Sequence, residues 1–376
     1  MQSIKFPTNL WIGEDALQQL QNREETSFFI VTDPFIQKSG LLDLVLEQLS
    51  SKTVNVFSDI VPDPPISVVA KGAAQINEVS PEAIIAIGGG SSIDAAKAMY
   101  YFSKRTGDSK VNTFIAIPTT SGTGSEVTNF SVITDEEKGV KYPLVTDEIQ
   151  PDIAILSPQL VKSVPPTITA DTGMDVLSHL VEAYVATKKN VMADILVEYA
   201  IQQVFTYLKK AYDDGNNLEA RQQMHLASSL AGMAFTTVGL GLTHGLAHAI
   251  GGQFHIPHGR LNALILPHVI MYNADLPSCG AAKSEAAARY AKLAKTIGAS
   301  VIDNPRVGVL AFIKKVCSLQ RSMNMPLTLR DCGVNQADFM EAIDNLADAA
   351  LADACTSTNP RVPTKEEVVV LLKGLI

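Results

Sequence analysis

The sequence predicts an α/β domain built on a parallel sheet, residues 1–165, followed by an all-helical domain, residues 166–376. Three observations lead there. In the first part, short β-branched apolar runs alternate with polar helical segments; the runs stop at Pro165 and Pro166; and beyond that prolyl break long helical stretches succeed one another. The runs SFFIV (27–31), VNVF (54–57), AIIAI (83–87), TFIAI (113–117) and IAIL (153–156) have the pattern of parallel strands buried on both faces. Helices over 35–49, 66–77 and 93–102 separate them, which gives an open sheet with helices on both sides. Between 129 and 142 an acidic, glycine-containing turn predicts a small antiparallel excursion. After the break, helices are expected over 169–187, 192–212, 218–236, 281–297, 304–317 and 336–350. A chain of 376 residues also exceeds the size at which one core usually stops growing.

Composition excludes several classes of function. With 46% hydrophobic and 18% charged residues the chain is an ordinary folded protein. A formal charge of -9 and the lack of any lysine and arginine run argue against nucleic acid as a partner. No apolar run approaches the roughly 20 residues that a membrane crossing requires, and the opening MQSIKFPTNLWIG has no apolar signal core. A cytoplasmic location is expected, with Cys279, Cys317, Cys332 and Cys355 reduced and largely buried, since they are widely spaced and form no CxxC pair.

Two stretches suggest a nucleotide. Strand AIIAI runs into Gly88, Gly89, Gly90 and Ser91 and then a helix start, the physical recipe for a phosphate cradle. Missing Cβ atoms let backbone N–H groups approach an anion, and the helix N-terminus adds partial positive charge. The spacing is not GxGxxG, and a tight structural turn is the rival reading. Asp94, three residues after Ser91, reads as capping-box-like, and Lys97 as a surface lysine or a support for the phosphate region. PTTSGTGSE follows the next strand and offers Thr119, Thr120 and further hydroxyls to a ribose, phosphate or amide. Asp33 ends the first strand, where a carboxylate could accept from an adenosine ribose hydroxyl or cap the next helix.

The histidines suggest a metal. Asp175 and His179 lie one helical turn apart, and THGLAHAIGGQFHIPHG carries His244, His248, His255 and His258, so five of the seven histidines fall in two short stretches. Aspartate with imidazoles suits divalent iron or zinc and offers nothing to a thiolate-seeking metal. Taken singly, each pair could be a solvent-facing or packing pair; together they favour a site. Asp175, His179, His244, His248 and His258 compete for ligation, with one of them expected to do proton chemistry instead. His225 and His268, without clustered partners, read as structural.

GGGSSIDAAK, PTTSGTGSEVT, TGMDVLSHLVEAYV and GLGLTHGLAHAIGGQFHIPHGRLNALILPHV, in this order, resemble the iron-dependent (group III) alcohol dehydrogenases over essentially the whole chain. The resemblance implies a Rossmann-like NAD-binding domain over 1–165 and a helical metal-binding catalytic domain over 166–376, an architecture shared with dehydroquinate synthase-like proteins. It implies Fe2+, with Zn2+ as the alternative, on Asp175, His179, His244 and His258, which leaves His248 as proton relay or positioning residue. Gly88, Gly89, Gly90 and Ser91 would take the pyrophosphate, Thr119 and Thr120 would lie along the nucleotide, and Asp33 would favour NAD(H) over its phosphorylated form; Asp94, just after the glycine turn, is counted with these as a cofactor-binding candidate. The expected substrates are short-chain primary alcohols and aldehydes, propanol and propionaldehyde first, with lactaldehyde, 1,3-propanediol or glycerol as alternatives. A homodimer or higher homo-oligomer is expected, as is association with a bacterial microcompartment. Asp171 stands where family members often carry alanine, and Ser178 where they often carry threonine. A lyase using NAD transiently would need basic residues near the metal, whereas GLGL and LNALIL are apolar and Arg260 is the single nearby arginine. A scaffolding protein with a vestigial nucleotide fold would show a degraded metal constellation, and here all the ligand types are present.

Overall fold

The computed structural model describes residues 4–138, 140–276 and 284–376. Cys279 and the first residues of the helix expected over 281–297 lie outside the described residues. Eight strands are found among them: β1 (Asn9–Ile12), β2 (Ser27–Val31), β3 (Thr53–Phe57), β4 (Ala83–Gly88), β5 (Thr113–Pro118), β6 (Phe130–Asp135), β7 (Val140–Val145) and β8 (Ile153–Leu156). Six of them form a sheet in the order β1-β8-β5-β4-β2-β3, and all its pairings are parallel. β6 and β7 pair antiparallel, as a separate hairpin.

Period-two alternation divides the sheet into two faces. Phe28, Ile30, Ile85, Ile87, Ile115 and Ile117 pack on one side with Leu17, Leu20, Leu42 and Val45. Their neighbours Phe29, Val31, Ile84, Ala86, Phe114 and Ala116 pack on the other with Val69, Ile76, Ile93 and Met99. Both faces are therefore dry, which is why the strands read as continuous apolar runs. The intervening helices are α1 (Pro34–Lys38), α2 (Leu41–Gln48), α3 (Ile66–Val79) and α4 (Gly90–Thr106). The single helix expected over 35–49 is split, because Gly40 takes a φ of 79° that no helix continues through. β1, an edge strand with a single neighbour, was not foreseen; four residues with exposed ends carry too little pattern.

From Pro166 onward the described residues hold α5 (Pro166–Val185), α6 (Val191–Asp213), α7 (Leu218–Val238), α8 (Leu242–Phe254), α9 (His258–Asn273), α10 (Glu285–Thr296), α11 (Pro305–Ser322), α12 (Gln336–Ala352) and α13 (Lys365–Lys373), and no strand. Pro166 at the first position of α5 lacks an N–H that the helix could not have used, so the prolyl break doubles as a helix start. A core of Leu246, Ile250, Leu261, Ile265, Phe339 and Leu346 joins α8, α9 and α12.

The chain forms two units: Met1–Val164 with Asn216–Gly232, and Pro165–Gly215 with Met233–Ile376. The first two-thirds of α7, expected from sequence in the second domain, thus belong with the first. Arg221 reaches the carbonyls of Lys162 and Val164, Gln222 that of Leu156, and Ser229 donates to the Glu126 carboxylate.

Candidate nucleotide site and metal centre

In the first unit, β2 leads through α1 and α2 to β3 on one side, while β4 lies on the other side of β2. The carboxyl ends of β2 and β4 therefore flank the topological switch point, where open α/β sheets bind ligands. Asp33 and Gly88 stand at those two ends. Asp33 Oδ1 accepts from Phe35 N and Ile36 N (2.9 and 3.0 Å), capping α1, while Oδ2 accepts from Ser92 Oγ at 3.1 Å. The capping role is real, and the second oxygen faces the start of α4.

Gly88 has a φ of 152°, and a Cβ there would lie 2.4 Å from Ser92 Oγ and 3.2 Å from Asp33 Oδ2. Only glycine lets β4 turn so tightly under α4. This 17-residue helix begins at Gly90, has no side-chain cap and carries no acid in its first turn, so its N-terminus suits a phosphate. Thr119 N donates to Gly88 O at 2.9 Å, and a Cβ on Gly89 would sit 3.6 Å from Thr120 Oγ1. The hydroxyl-rich loop after β5 accordingly lies beside the glycine turn.

A buried polar cluster holds that loop. Asp94 accepts from Ser125 Oγ (2.6 Å) and Val132 N (3.1 Å), and burial pushes its carboxyl up. Both its oxygens are engaged inside the protein. Lys97 is fully buried, donating to Ser125 Oγ and Thr128 Oγ1 (both 3.0 Å) and Phe130 O (2.8 Å), and burial lowers its ammonium to about 8. The surface reading of Lys97 is therefore wrong: it is a buried donor that ties Ser125, Thr128 and Phe130 to α4. Ser121 is bonded to His225 Nδ1 at 2.9 Å, and burial takes that imidazole down to about 4.

The metal candidates lie in the second unit. Helical spacing puts Asp175, His179 and Glu182 on one face of α5, while α8 presents His244. His255 ends α8 in the left-handed conformation, φ 52°, exposed and outside the cluster. Pro257 then caps α9, so His258 is offered from its first turn. His244 Nε2 and His258 Nε2 lie 3.8 and 3.6 Å from Asp175 Oδ1. One atom holds all three together: Asn262 Nδ2 is 2.7 Å from Asp175 Oδ1, 3.1 Å from His244 Nε2 and 3.0 Å from His258 Nε2. One carboxylate oxygen and two imidazole nitrogens gathered about a single point are the donor set a divalent cation takes, so these residues fit one.

His179 stacks on His244 at 4.6 Å and on Phe235 at 4.7 Å, and its buried Nδ1 has no hydrogen-bond partner among the described residues. Burial works to raise the Asp175 carboxyl, but His179, His258 and His244 together hold it below its ordinary value. Burial, aided by the neighbouring imidazoles, drives His244 well below its ordinary value, which keeps it in the neutral form that ligates metals.

Glu182 and Asp353 complete the site and were missed from sequence. Buried Glu182 accepts from Gly241 N (3.0 Å), Thr243 N (2.6 Å) and His244 Nδ1 (2.6 Å), so it caps α8 and aims His244 Nε2 at the cluster. Burial raises its carboxyl to about 7. Its spacing from His179, an acid in the apolar run HLVEAYV, was the available signal. Asp353 binds His248 Nδ1 at 2.8 Å, and the His248 ring stacks on His258 at 5.1 Å. His248 therefore flanks the cluster without entering it.

Residues 7–158 match the iron-containing alcohol dehydrogenase family, and 169–376 match the C-terminal part of the Fe-containing alcohol dehydrogenases. The chain is 43% identical over 378 residues to a 1-propanol dehydrogenase of Citrobacter freundii, with all of both chains covered. It is 38% identical to an NADPH-dependent butanol dehydrogenase of Clostridium saccharobutylicum, covering 98% of this chain and 96% of that one. Among solved structures, an alcohol dehydrogenase from Oenococcus oeni superposes with a TM-score of 0.91 at 30% identity over the whole of both chains. The chain belongs to the iron-containing alcohol dehydrogenase family. Its fold is that family's Rossmann-like sheet domain plus a helical domain, and its activity is that of an NAD-dependent metalloenzyme acting on short-chain alcohols and aldehydes. No single helix among the described residues is long and apolar enough to cross a membrane.

Proposed function

We propose that the protein interconverts 1-propanol and propionaldehyde with NAD(H), using ferrous ion held by Asp175, His179, His244 and His258. In this reading residues 1–165, joined by Asn216–Gly232, form the NAD-binding domain, and the rest of 166–376 forms the catalytic domain. The convergence of Asp175, His244 and His258 on the Asn262 amide carries it. When bound, the cation supplies Lewis-acid polarisation of the substrate oxygen and the nicotinamide supplies or accepts the hydride. The protein supplies position and a proton route. Asp353 accepts a hydrogen bond from the Nδ1–H of His248, which leaves Nε2 to take the alcohol proton, or to return one to the alkoxide in reduction. Glu182 fixes the His244 tautomer in the same way. Gly88, Gly89, Gly90 and Ser91 receive the pyrophosphate, Thr119 and Thr120 line the cofactor, Asp94 supports that loop from beneath, and Asp33 meets the adenosine ribose.

Arg260, the cation nearest the cluster in sequence, forms two hydrogen bonds to Asp171, at 3.2 and 2.9 Å. Its charge is matched within the protein, which favours a neutral alcohol over the anionic substrate of a lyase. The resemblance to propanol-type enzymes extends the proposal to a homo-oligomer associated with a microcompartment. Steady-state kinetics of ferrous-loaded enzyme on two- to four-carbon alcohols and aldehydes, with lactaldehyde, glycerol and 1,3-propanediol included, test the substrate. Propionaldehyde is expected to give the highest kcat/KM, and a higher value for any of those three would reassign it. His244→Ala and His258→Ala should lose metal and turnover together, whereas His248→Ala should keep the metal and lose turnover; metal loss in the last variant would place His248 among the ligands.

A further inference from the structure

We propose that His248, Asp353 and Cys355 form a second divalent-cation site, suited to zinc, whose occupation switches off the proton route. One donor atom from each residue lies within 4.8 Å of the other two. Imidazole nitrogen, carboxylate oxygen and thiolate sulfur are the donors zinc prefers, whereas the Asp175 cluster contains no sulfur. The carboxylate is already fixed between its two neighbours: Asp353 Oδ2 pairs with His248 Nδ1 at 2.8 Å, and Oδ1 accepts from Cys355 N at 2.8 Å. Ligands of one tetrahedral zinc, with bonds of about 2.0–2.3 Å, stand roughly 3.5 Å apart, so a contraction of about 1 Å closes the set. His248 is half exposed and gives the ion an approach, while Cys355 is partly buried.

The protons balance. Burial, then the nearby Asp353 and Glu182 charges, push the Cys355 thiol well up, so it is protonated at neutral pH and releases one proton to solvent when sulfur binds the cation. Asp353 is already anionic. The Nδ1 proton of His248 moves to Nε2 as Nδ1 becomes a ligand, with no net change on the ring. That tautomer shift is the switch, because Nε2 then carries a hydrogen and cannot accept one from the alcohol. The inhibition rests on the proposed role of His248; the binding does not.

Cobalt(II) tests both, because a thiolate ligand gives a charge-transfer absorption that the Asp175 cluster cannot produce. The protein should take up two equivalents of cobalt, the second bringing the thiolate band and a loss of turnover of at least tenfold. Cys355→Ala should bind one equivalent, show no band and keep its turnover in excess cobalt or zinc. Absence of the band in the parent protein, or its persistence in Cys355→Ala, overturns the site. A band that appears and disappears as expected while turnover stays unchanged upholds the site and overturns the role of His248.

Discussion

At the scale of single residues, the side chain that most repays substitution is Glu182, which no proposed ligand list contains. Its carboxylate accepts three hydrogen bonds, two from the start of α8 and one from His244 Nδ1. Carboxylates that orient a metal-binding imidazole are typically worth 10- to 100-fold in affinity. Glu182→Ala should therefore weaken ferrous or zinc retention by about that factor, measured by competition with a chelator. Glu182→Gln, which can still accept but carries no charge, should lose less; retention in the alanine variant equal to the parent's would refute the role. Asp33 permits a cleaner test because glycine is tolerated at a helix N-cap, costing only a few tenths of a kcal/mol. Asp33→Gly should shift the NADPH-to-NADH ratio of kcat/KM upward by about tenfold, the worth of roughly one close charge repulsion. An unchanged ratio would leave Asp33 as a cap alone. The candidate donors Asp175, His244 and His258 were legible because metal-binding side chains are chemically rare and clustered in sequence. Glu182 and Asp353 were not, since an acid's hydrogen-bond partners depend on which helices meet, and sequence spacing states only which face it is on.

Between elements, the crossing of α5 and α9 decides whether the donors can meet. Gly259, the second residue of α9, lies so close to α5 that a Cβ would sit 2.1 Å from Asp171 O and 3.2 Å from Asp175 Cβ. The obstacle is backbone, which cannot rotate away. Gly259→Ala should lift the first turn of α9, with His258 and Asn262, off the helix that carries Asp175. The expected result is a stability loss of about 1–3 kcal/mol, as for other overpacked sites, together with weakened metal retention. Gly252→Ala on α8 is the matched control, for its Cβ would meet nothing within 4 Å. There alanine should be neutral or stabilising by up to about 1 kcal/mol through helix propensity. If the two variants behaved alike in denaturation and metal binding, close packing at Gly259 would not be what sets the site. Helix α5 was visible in the sequence, as the helix expected over 169–187, but α8 and α9 were not among the expected helices, because Gly245, Gly251 and Gly252 in the one and Pro267 in the other interrupt the helical pattern. Hidden as well was the approach distance, because a glycine's packing partner is named nowhere in its own segment.

At the scale of the whole molecule, the parallel sheet and the helical half were readable because buried strands and helices differ in length and period. The allegiance of α7 was not: a helical period says nothing about which unit a helix joins, and hydrogen bonds from Arg221, Gln222 and Ser229 bring Asn216–Gly232 to the first. His225 on that segment links α7 to the stability of the protein in acid. Burial holds its imidazole at about 4, against an ordinary 6.5. Between those two values the unfolded chain binds a proton that the folded protein refuses, so this residue's contribution falls as pH falls through 6.5 and is lost in full below about 4. From pH 7 to pH 5 the loss should be about 2 kcal/mol. Buried Asp94 and Glu126 shift upward and pull the other way, so the total slope is no test. The difference between the parent protein and His225→Asn is, because both carry the same acids and asparagine can occupy the place of Nδ1 beside Ser121. Urea denaturation at pH 7 and pH 5 should show the parent's advantage over the variant shrinking by about 2 kcal/mol. An advantage that stayed constant would mean that His225 accepts its proton in the folded state, and that the loop it holds has solvent access the packing denies.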